Sequence, residues 1–419
     1  MPSEEKTLST LWTRDFTIIT LGSVVSMLGN AMSGFAMSLM VLDISKSTLY
    51  YSIYIAMYTL PQLLVPIVSG AILDRFSRKK CIYLLDFASA FLYALMAAVL
   101  NTGWFSFPLF AVYCFVLGCI QSTYMVAYES FYPLLISEGN FQKAYSIASV
   151  LETVSSVMVP VSSFLYRHIG LSPLLGIIAV CFFIAAVTET RIRTDERYLH
   201  TQRETKQTDA GSSRQVLNDI KEGFGYLAAE KGLLAVAVYF FFSALCGGVS
   251  SVLVLPWFKS TFENGENRYM LVWGMAVVGR AIGGMIHYRI KIPAQHRYAV
   301  ALAVYIIISL LEGAYLFTPI PVMMALCFTI GIGGITSYTI RVSATQSYVP
   351  DELKGRFNGA FNMLSTAGAL LGEAIAGALT LVLPERTVLL TVMLLCAFAA
   401  VVFIGGGKKH VAPIYNRNK

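Results

Sequence analysis

The sequence predicts an all-α integral membrane protein in which twelve transmembrane helices form two pseudo-symmetric six-helix bundles. Three observations carry this. Apolar residues make up 56% of the 419 and charged residues only 13%, where soluble proteins carry about 25% charged. The apolar residues fall in long continuous runs, each near the ~20 residues that a bilayer crossing needs. One long polar stretch splits those runs six and six.

The runs lie at about 16–41, 49–73, 81–101, 105–128, 144–166, 171–190, 232–257, 269–288, 297–317, 320–341, 357–382 and 387–406. They are too long and too uniform for barrel strands, which alternate over ~10 residues. Gly, Pro and Ser inside them are tolerated where neighbouring helices satisfy the backbone. The opening MPSEEKTLSTLWTRDF is short, mixed in charge and without a small-residue cleavage site. The first run is too long for a signal-peptide core and is expected to stay as the first helix.

The interrupting stretch holds Arg191, Arg193, Arg197, Arg203, Lys206, Arg214 and Lys221 around DAGSS. The expected organisation is an N-terminal bundle over 1–190, a cytoplasmic linker over 191–230 and a C-terminal bundle over 231–419. Within the linker, RQVLNDIKEGFGYLAAEKG reads as an amphipathic helix on the membrane surface.

With the N-terminus inside and the sides alternating, 25 of the 31 lysines and arginines fall inside. Outside fall Lys46, Arg167, Lys259, Arg268 and Arg386, and Arg280 lies within a helix. This is the positive-inside pattern. It makes the net charge of +7 a matter of topology and not of nucleic-acid binding. Both termini are expected in the cytoplasm of a multi-pass plasma (inner) membrane protein. Anionic lipids are a secondary contact.

No catalytic motif emerges. The histidines form no HExxH, and no G-x-x-x-x-G-K-[ST] phosphate loop is present. The seven cysteines sit in or beside apolar runs without a CxxC pair, so buried free thiols are expected, with no metal site and no cofactor.

The halves echo each other. GAILDRFSRKK after the second run matches GMIHYRIKI after the eighth, pairing Gly70 with Gly284 and Arg75 with Arg289. ISEGNFQKAY and VPDELKGRF follow at nearly the same offset. Internal repeats of this kind are frequent in transporters, with the binding site near the midplane.

SGAILDRFSRKK also resembles the loop signature G-x-x-x-D-R-x-x-R-[KR] of the major facilitator superfamily, with Gly70, Asp74, Arg75, Arg78 and Lys79 in its positions. LPQLLVPIVSG, IKEGFGYLAAEKGLLAV and SYVPDELKGRFNGAF are similar to its macrolide-efflux and enterobactin-exporter-type subgroup. The resemblance implies the major facilitator fold and a loop that latches the inner gate. Without it, the same loop reads as a positive-inside anchor. It also implies a cavity lined from the first, fourth, seventh and tenth helices. Candidate lining residues are Asn30, Gln62 in the second run, Gln121, Tyr124 and Tyr338, with the Phe240–Phe242 region and Ser337.

Ionisable groups at membrane depth are costly and face a cavity or a partner. Glu152, among Thr153, Ser155 and Ser156, is the expected proton carrier. Arg280 is its expected counter-charge, with Glu312 or Glu373 as its partner. Glu373 and Glu312 are secondary carriers. Asp86, near the inner end of the third run, reads as a partner for the Arg75–Lys80 cluster, with proton coupling as its second role.

The function implied is secondary active transport: proton-coupled export of amphipathic or lipophilic small molecules, drug-like or siderophore-like, by a monomer. The alternatives are an importer or lipid flippase on the same fold, or a non-transporting receptor or scaffold.

Overall fold

The computed structural model describes residues 11–73, 76–137, 158–194, 212–289, 292–350 and 353–417, together with 144, 147 and 151. All regular structure among them is helical. In chain order the helices are α1 (Arg14–Ser45), α2 (Thr48–Leu73), α3 (Arg78–Asn101), α4 (Phe107–Phe131), α5 (Met158–Ile169), α6 (Leu171–Glu189), α7 (Ser212–Ala229), α8 (Lys231–Thr261), α9 (Gly265–Arg289), α10 (Ala294–Ala314), α11 (Ile320–Tyr348), α12 (Lys354–Leu379), α13 (Glu385–Ala399) and α14 (Lys408–Tyr415). Nine described helical segments are long and apolar enough to cross a bilayer. The chain forms two compact units. One comprises Met1–Ile44 and Met57–Val216, the other Ser45–Ala56 and Leu217–Lys419.

In the first unit α3 packs along α6 and also meets α4. Tyr93 of α3 stacks on Phe182 of α6 with ring centres 5.4 Å apart, and its hydroxyl shares a 2.8 Å hydrogen bond with Ser33. Near the start of α1, Phe16, Ile19, Ile82, Tyr124, Phe131 and Tyr132 form an apolar core. The Asp15 carboxylate fixes the chain leaving α6, accepting from the backbone N–H groups of Arg193 and Thr194 and from the Thr194 hydroxyl.

Lipid tails are as apolar as leucine, so helices in a bilayer associate through close packing of small residues. The second unit shows this. Along α8 and α12, Gly248 lies against the Ala369 carbonyl, Gly368 against that of Phe241 and Gly372 against that of Leu245. Along α9 and α11, Gly279 meets the Phe328 carbonyl and Gly331 that of Ala276. Gly284, the repeat-matched glycine, faces open space, and Gly279 and Gly283 make the close approach instead. Gly70 lies in α2, but its surroundings fall outside the described residues.

The amphipathic segment is α7. Its Gly223 touches the Arg356 carbonyl, and Glu222 pairs with Arg356 at 2.7 Å. Both side chains are largely exposed, so that pair is worth about 0–1 kcal/mol. The first turns of α2 cluster with the second unit. There the Ser52 hydroxyl donates to the Glu373 carbonyl. The short helix α14 is an addition to the twelve expected runs. It buries Val411, Ile414 and Tyr415, and the Tyr415 hydroxyl bonds that of Tyr305 at 3.0 Å. All seven cysteines are free thiols.

Candidate functional site

A cavity of about 350 Å³ opens inside the second unit. Helix α8 contributes Tyr239, Phe240 and Ser243, and α9 contributes Trp273 and Arg280. Helix α10 adds Tyr305, Ser309 and Glu312, while α11 adds Ser337, Tyr338 and Arg341. The wall is mainly aromatic and aliphatic with a few convergent polar groups, the composition typical of small-molecule sites.

The cavity charges have different surroundings. The Glu312 carboxylate accepts from the Ser250 hydroxyl at 3.1 Å and feels the Arg280 charge. Arg280 is exposed to the cavity, with Gly334 opposite its guanidinium. Arg341 lies among rings instead. Its guanidinium carbon is 5.0 Å from the centre of Phe240, 5.6 Å from Tyr338 and 4.7 Å from Phe361. Its Nε is buried and has no acceptor among the described residues.

The first unit holds two buried carboxylates. Asp86 of α3 is 2% exposed and accepts a 2.6 Å hydrogen bond from Ser26 of α1. Glu189 ends α6 at 0% exposure, and both its carboxylate oxygens lack a hydrogen-bond partner among the described residues. The two carboxylates interact electrostatically. Gly22, one turn before Ser26, lies against Glu189. The Ser23 and Tyr124 hydroxyls are buried nearby on α1 and α4 and face each other. An ionised carboxylate removed from water without compensation is costly, and Ser26 supplies that compensation to Asp86.

The sequence-predicted residues divide accordingly. Arg280, Glu312 and Tyr338 line the cavity, with Phe240 and Ser337. Glu312, and not Glu373, shares the cavity with Arg280; Glu373 is buried on α12. Asp86 meets Ser26 and Glu189, while Arg75 of the cluster expected beside it lies outside the described residues. Asn30 donates to Gln121 at 2.9 Å, joining α1 to α4. Gln62 is exposed on α2. Tyr124 packs in the apolar core of the first unit, stacked on Tyr128. Of the loop motif, Arg78 donates to the Ser130 carbonyl at 3.1 Å and Lys79 to the Thr194 carbonyl at 3.4 Å, both within the first unit. Asp74, Arg75 and Glu152 lie outside the described residues.

The family model described as Major Facilitator Superfamily matches residues 19–373. The chain belongs to the major facilitator superfamily. It is therefore a multi-pass membrane transporter and not an enzyme. Among relatives, the uncharacterized MFS-type transporter YkuC of Bacillus subtilis (strain 168) is 26% identical over 275 residues, spanning 64% of this chain and 62% of YkuC. The uncharacterized MFS-type transporter YfiS of the same organism is 24% identical over 377 residues, spanning 87% of this chain and 84% of YfiS. A crystal structure of a mutant of the nucleoside transporter NupG superposes with a TM-score of 0.69 at 14% identity, covering 94% of this chain and 99% of NupG. A second NupG crystal structure superposes with a TM-score of 0.65 at 13% identity, covering 94% of this chain and 98% of NupG. That likeness shows the superfamily fold.

Two residues of this transporter escape the reading by apolar runs. That reading puts Arg341 in an inner loop because the apolar run ends there, yet α11 continues to Tyr348 through Val, Ser, Ala, Thr and Gln. It also leaves Glu189 unremarked at the end of the 171–190 run. The spacing of Glu189 from Ile178, Phe182, Ala185 and Ala186 places it on the buried face of α6. That face is hidden in the sequence because α6 is apolar on all sides.

Proposed function

We propose that this superfamily member is a proton-coupled secondary transporter that exports amphipathic small molecules by alternating access. The observation that carries the reading is the aromatic cavity of the second unit, with Arg280, Glu312 and Arg341 on its wall. Such a wall suits a ligand with an apolar body and a polar or charged group. The proton is carried in the first unit by Asp86 and Glu189. Glu152, chosen from the sequence, belongs to the same tested set. Glu312 and Glu373 stand as further carriers.

The direction rests on the likeness of LPQLLVPIVSG, IKEGFGYLAAEKGLLAV and SYVPDELKGRFNGAF to segments of macrolide-efflux and enterobactin-exporter-type proteins. The inner placement of most basic residues supports cytoplasmic termini in the plasma (inner) membrane. We take the monomer as the working unit, with membrane lipids around it.

Proteoliposomes loaded with a pH-sensitive dye test the reading. Under an imposed proton gradient, amphipathic compounds are expected to trigger proton flux, with compound moving against the protons. Compound movement without proton flux removes the coupling. Movement with the protons reverses the direction.

A further inference from the structure

The cavity of the second unit carries more positive charge than its own residues neutralise. Two guanidinium groups, Arg280 and Arg341, share it with one carboxylate, Glu312. A guanidinium keeps its proton in any protein environment. Glu312 already accepts from Ser250, and it forms no ion pair with Arg280 among the described residues. Arg341 is held by the faces of Phe240, Phe361 and Tyr338. Rings stabilise its charge but give its N–H groups no acceptor in the plane, and its buried Nε has none among the described residues.

A guanidinium is a rigid fork of five donors that matches planar oxyanions in bidentate fashion. Here the fork is clamped on its faces and left open at its edge, beside aromatic walls and the Ser337 hydroxyl.

We propose that the substrate of this cavity is an aromatic organic anion, its carboxylate or equivalent oxyanion seated on Arg341 and Arg280 and its ring against the aromatic wall. The proposal rests on reading this cavity as the substrate site and deepens that reading by naming the charge of the ligand. The first half of the ligand exploits the Arg341 fork. The second exploits Phe240, Tyr338 and Trp273. Glu312 repels a second negative charge, so a monoanion fits better than a dianion.

Calorimetric titration of the purified full-length protein tests this with three matched probes: 2-naphthoate, its methyl ester and 2-naphthylmethylammonium. The naphthoate is expected to bind at least tenfold more tightly than the other two. Arg341→Gln is expected to abolish that preference and Arg341→Lys to keep part of it. Arg280→Gln is expected to weaken it several-fold, and it carries the test if Arg341→Gln does not fold. Equal binding of all three probes keeps the cavity as the ligand site and overturns the anion. Tighter binding of the ammonium, or a preference that survives both glutamine variants, also overturns it. If no probe binds to folded protein, the cavity reading itself fails, and the anion with it.

Discussion

Gly22 of α1 lies directly against the carboxylate of Glu189: a methyl group built on it would come within 2.7 Å of Oε1. One turn on, Ser26 holds Asp86. Helix α1 thus presents two successive turns to two buried acids. Gly22→Ala is expected to push the Glu189 side chain aside and lower proton-coupled flux at least several-fold, while the purified protein still folds. Flux measured in proteoliposomes checks this; unchanged flux would detach Gly22 from coupling.

Isosteric amides probe the acids themselves. Glu189→Gln and Asp86→Asn mimic the neutral carboxyl, so each is expected to retain ligand binding and lose its dependence on pH. The signature is a flat binding curve across pH where the wild type slopes. Glu152→Gln, run beside them, is expected to lower flux as well. A wild-type slope in all three variants would move coupling to Glu312 or Glu373.

Arg341 depends on its rings. Cation–π contacts are worth about 0.5–1 kcal/mol at exposed sites and ~2 kcal/mol when desolvated. Phe361→Leu removes the ring at 4.7 Å and keeps apolar volume. It is expected to weaken binding of naphthoate several-fold and to lower the melting temperature slightly. Binding of the methyl ester should hardly change, and a parallel loss there would mark Phe361 as a packing residue only.

Glycine contacts set the spacing of α8 and α12. Gly372→Ala would press a methyl group onto the Leu245 carbonyl, and overpacking of this kind costs about 1–3 kcal/mol. Gly274, on α9, faces open space. Gly274→Ala is expected to be neutral or slightly stabilising, because it only removes backbone freedom from the unfolded chain. Thermal unfolding in detergent should separate the two variants; equal melting temperatures would refute the packing argument.

The Tyr415–Tyr305 hydrogen bond ties α14 to α10 at 3.0 Å. Tyr415→Phe removes one buried bond, a loss of about 0.5–1.5 kcal/mol. Removal of residues 408–419 uncovers Gly232 as well, which packs on the His410 carbonyl, and is expected to lower stability further. Melting temperatures of the two variants rank these effects.

The helices were legible because bilayer thickness fixes the length of an apolar run, and each of the twelve runs has a described helix within it. Arg280 and Glu312 were legible for the same reason: a charge in the middle of such a run stands out. Arg341 was not, because apolar composition ends there while the helix continues, and Glu189 was not, because it is the last residue of its helix, beside the polar linker. Composition marks the edge of the oil, whereas burial depends on the helix beside it. Helix α14 escaped for a related reason. It is too short and too basic to register as a span, and it is held by Tyr305 and Gly232, far away in sequence. Tyr124 was singled out by the resemblance as a lining residue of the fourth run; its ring stacks on Tyr128 within the core of the first unit.

Under the proposed mechanism, ligand binding at the arginine-lined cavity is linked to protons on Asp86 and Glu189. The most direct test is proton release on ligand binding by the purified protein in weakly buffered detergent, followed with a pH indicator. Stoichiometric release is expected on saturation of the wild type and none from Glu189→Gln, with binding retained in both. Binding without release in the wild type, or equal release from the variant, would contradict the mechanism.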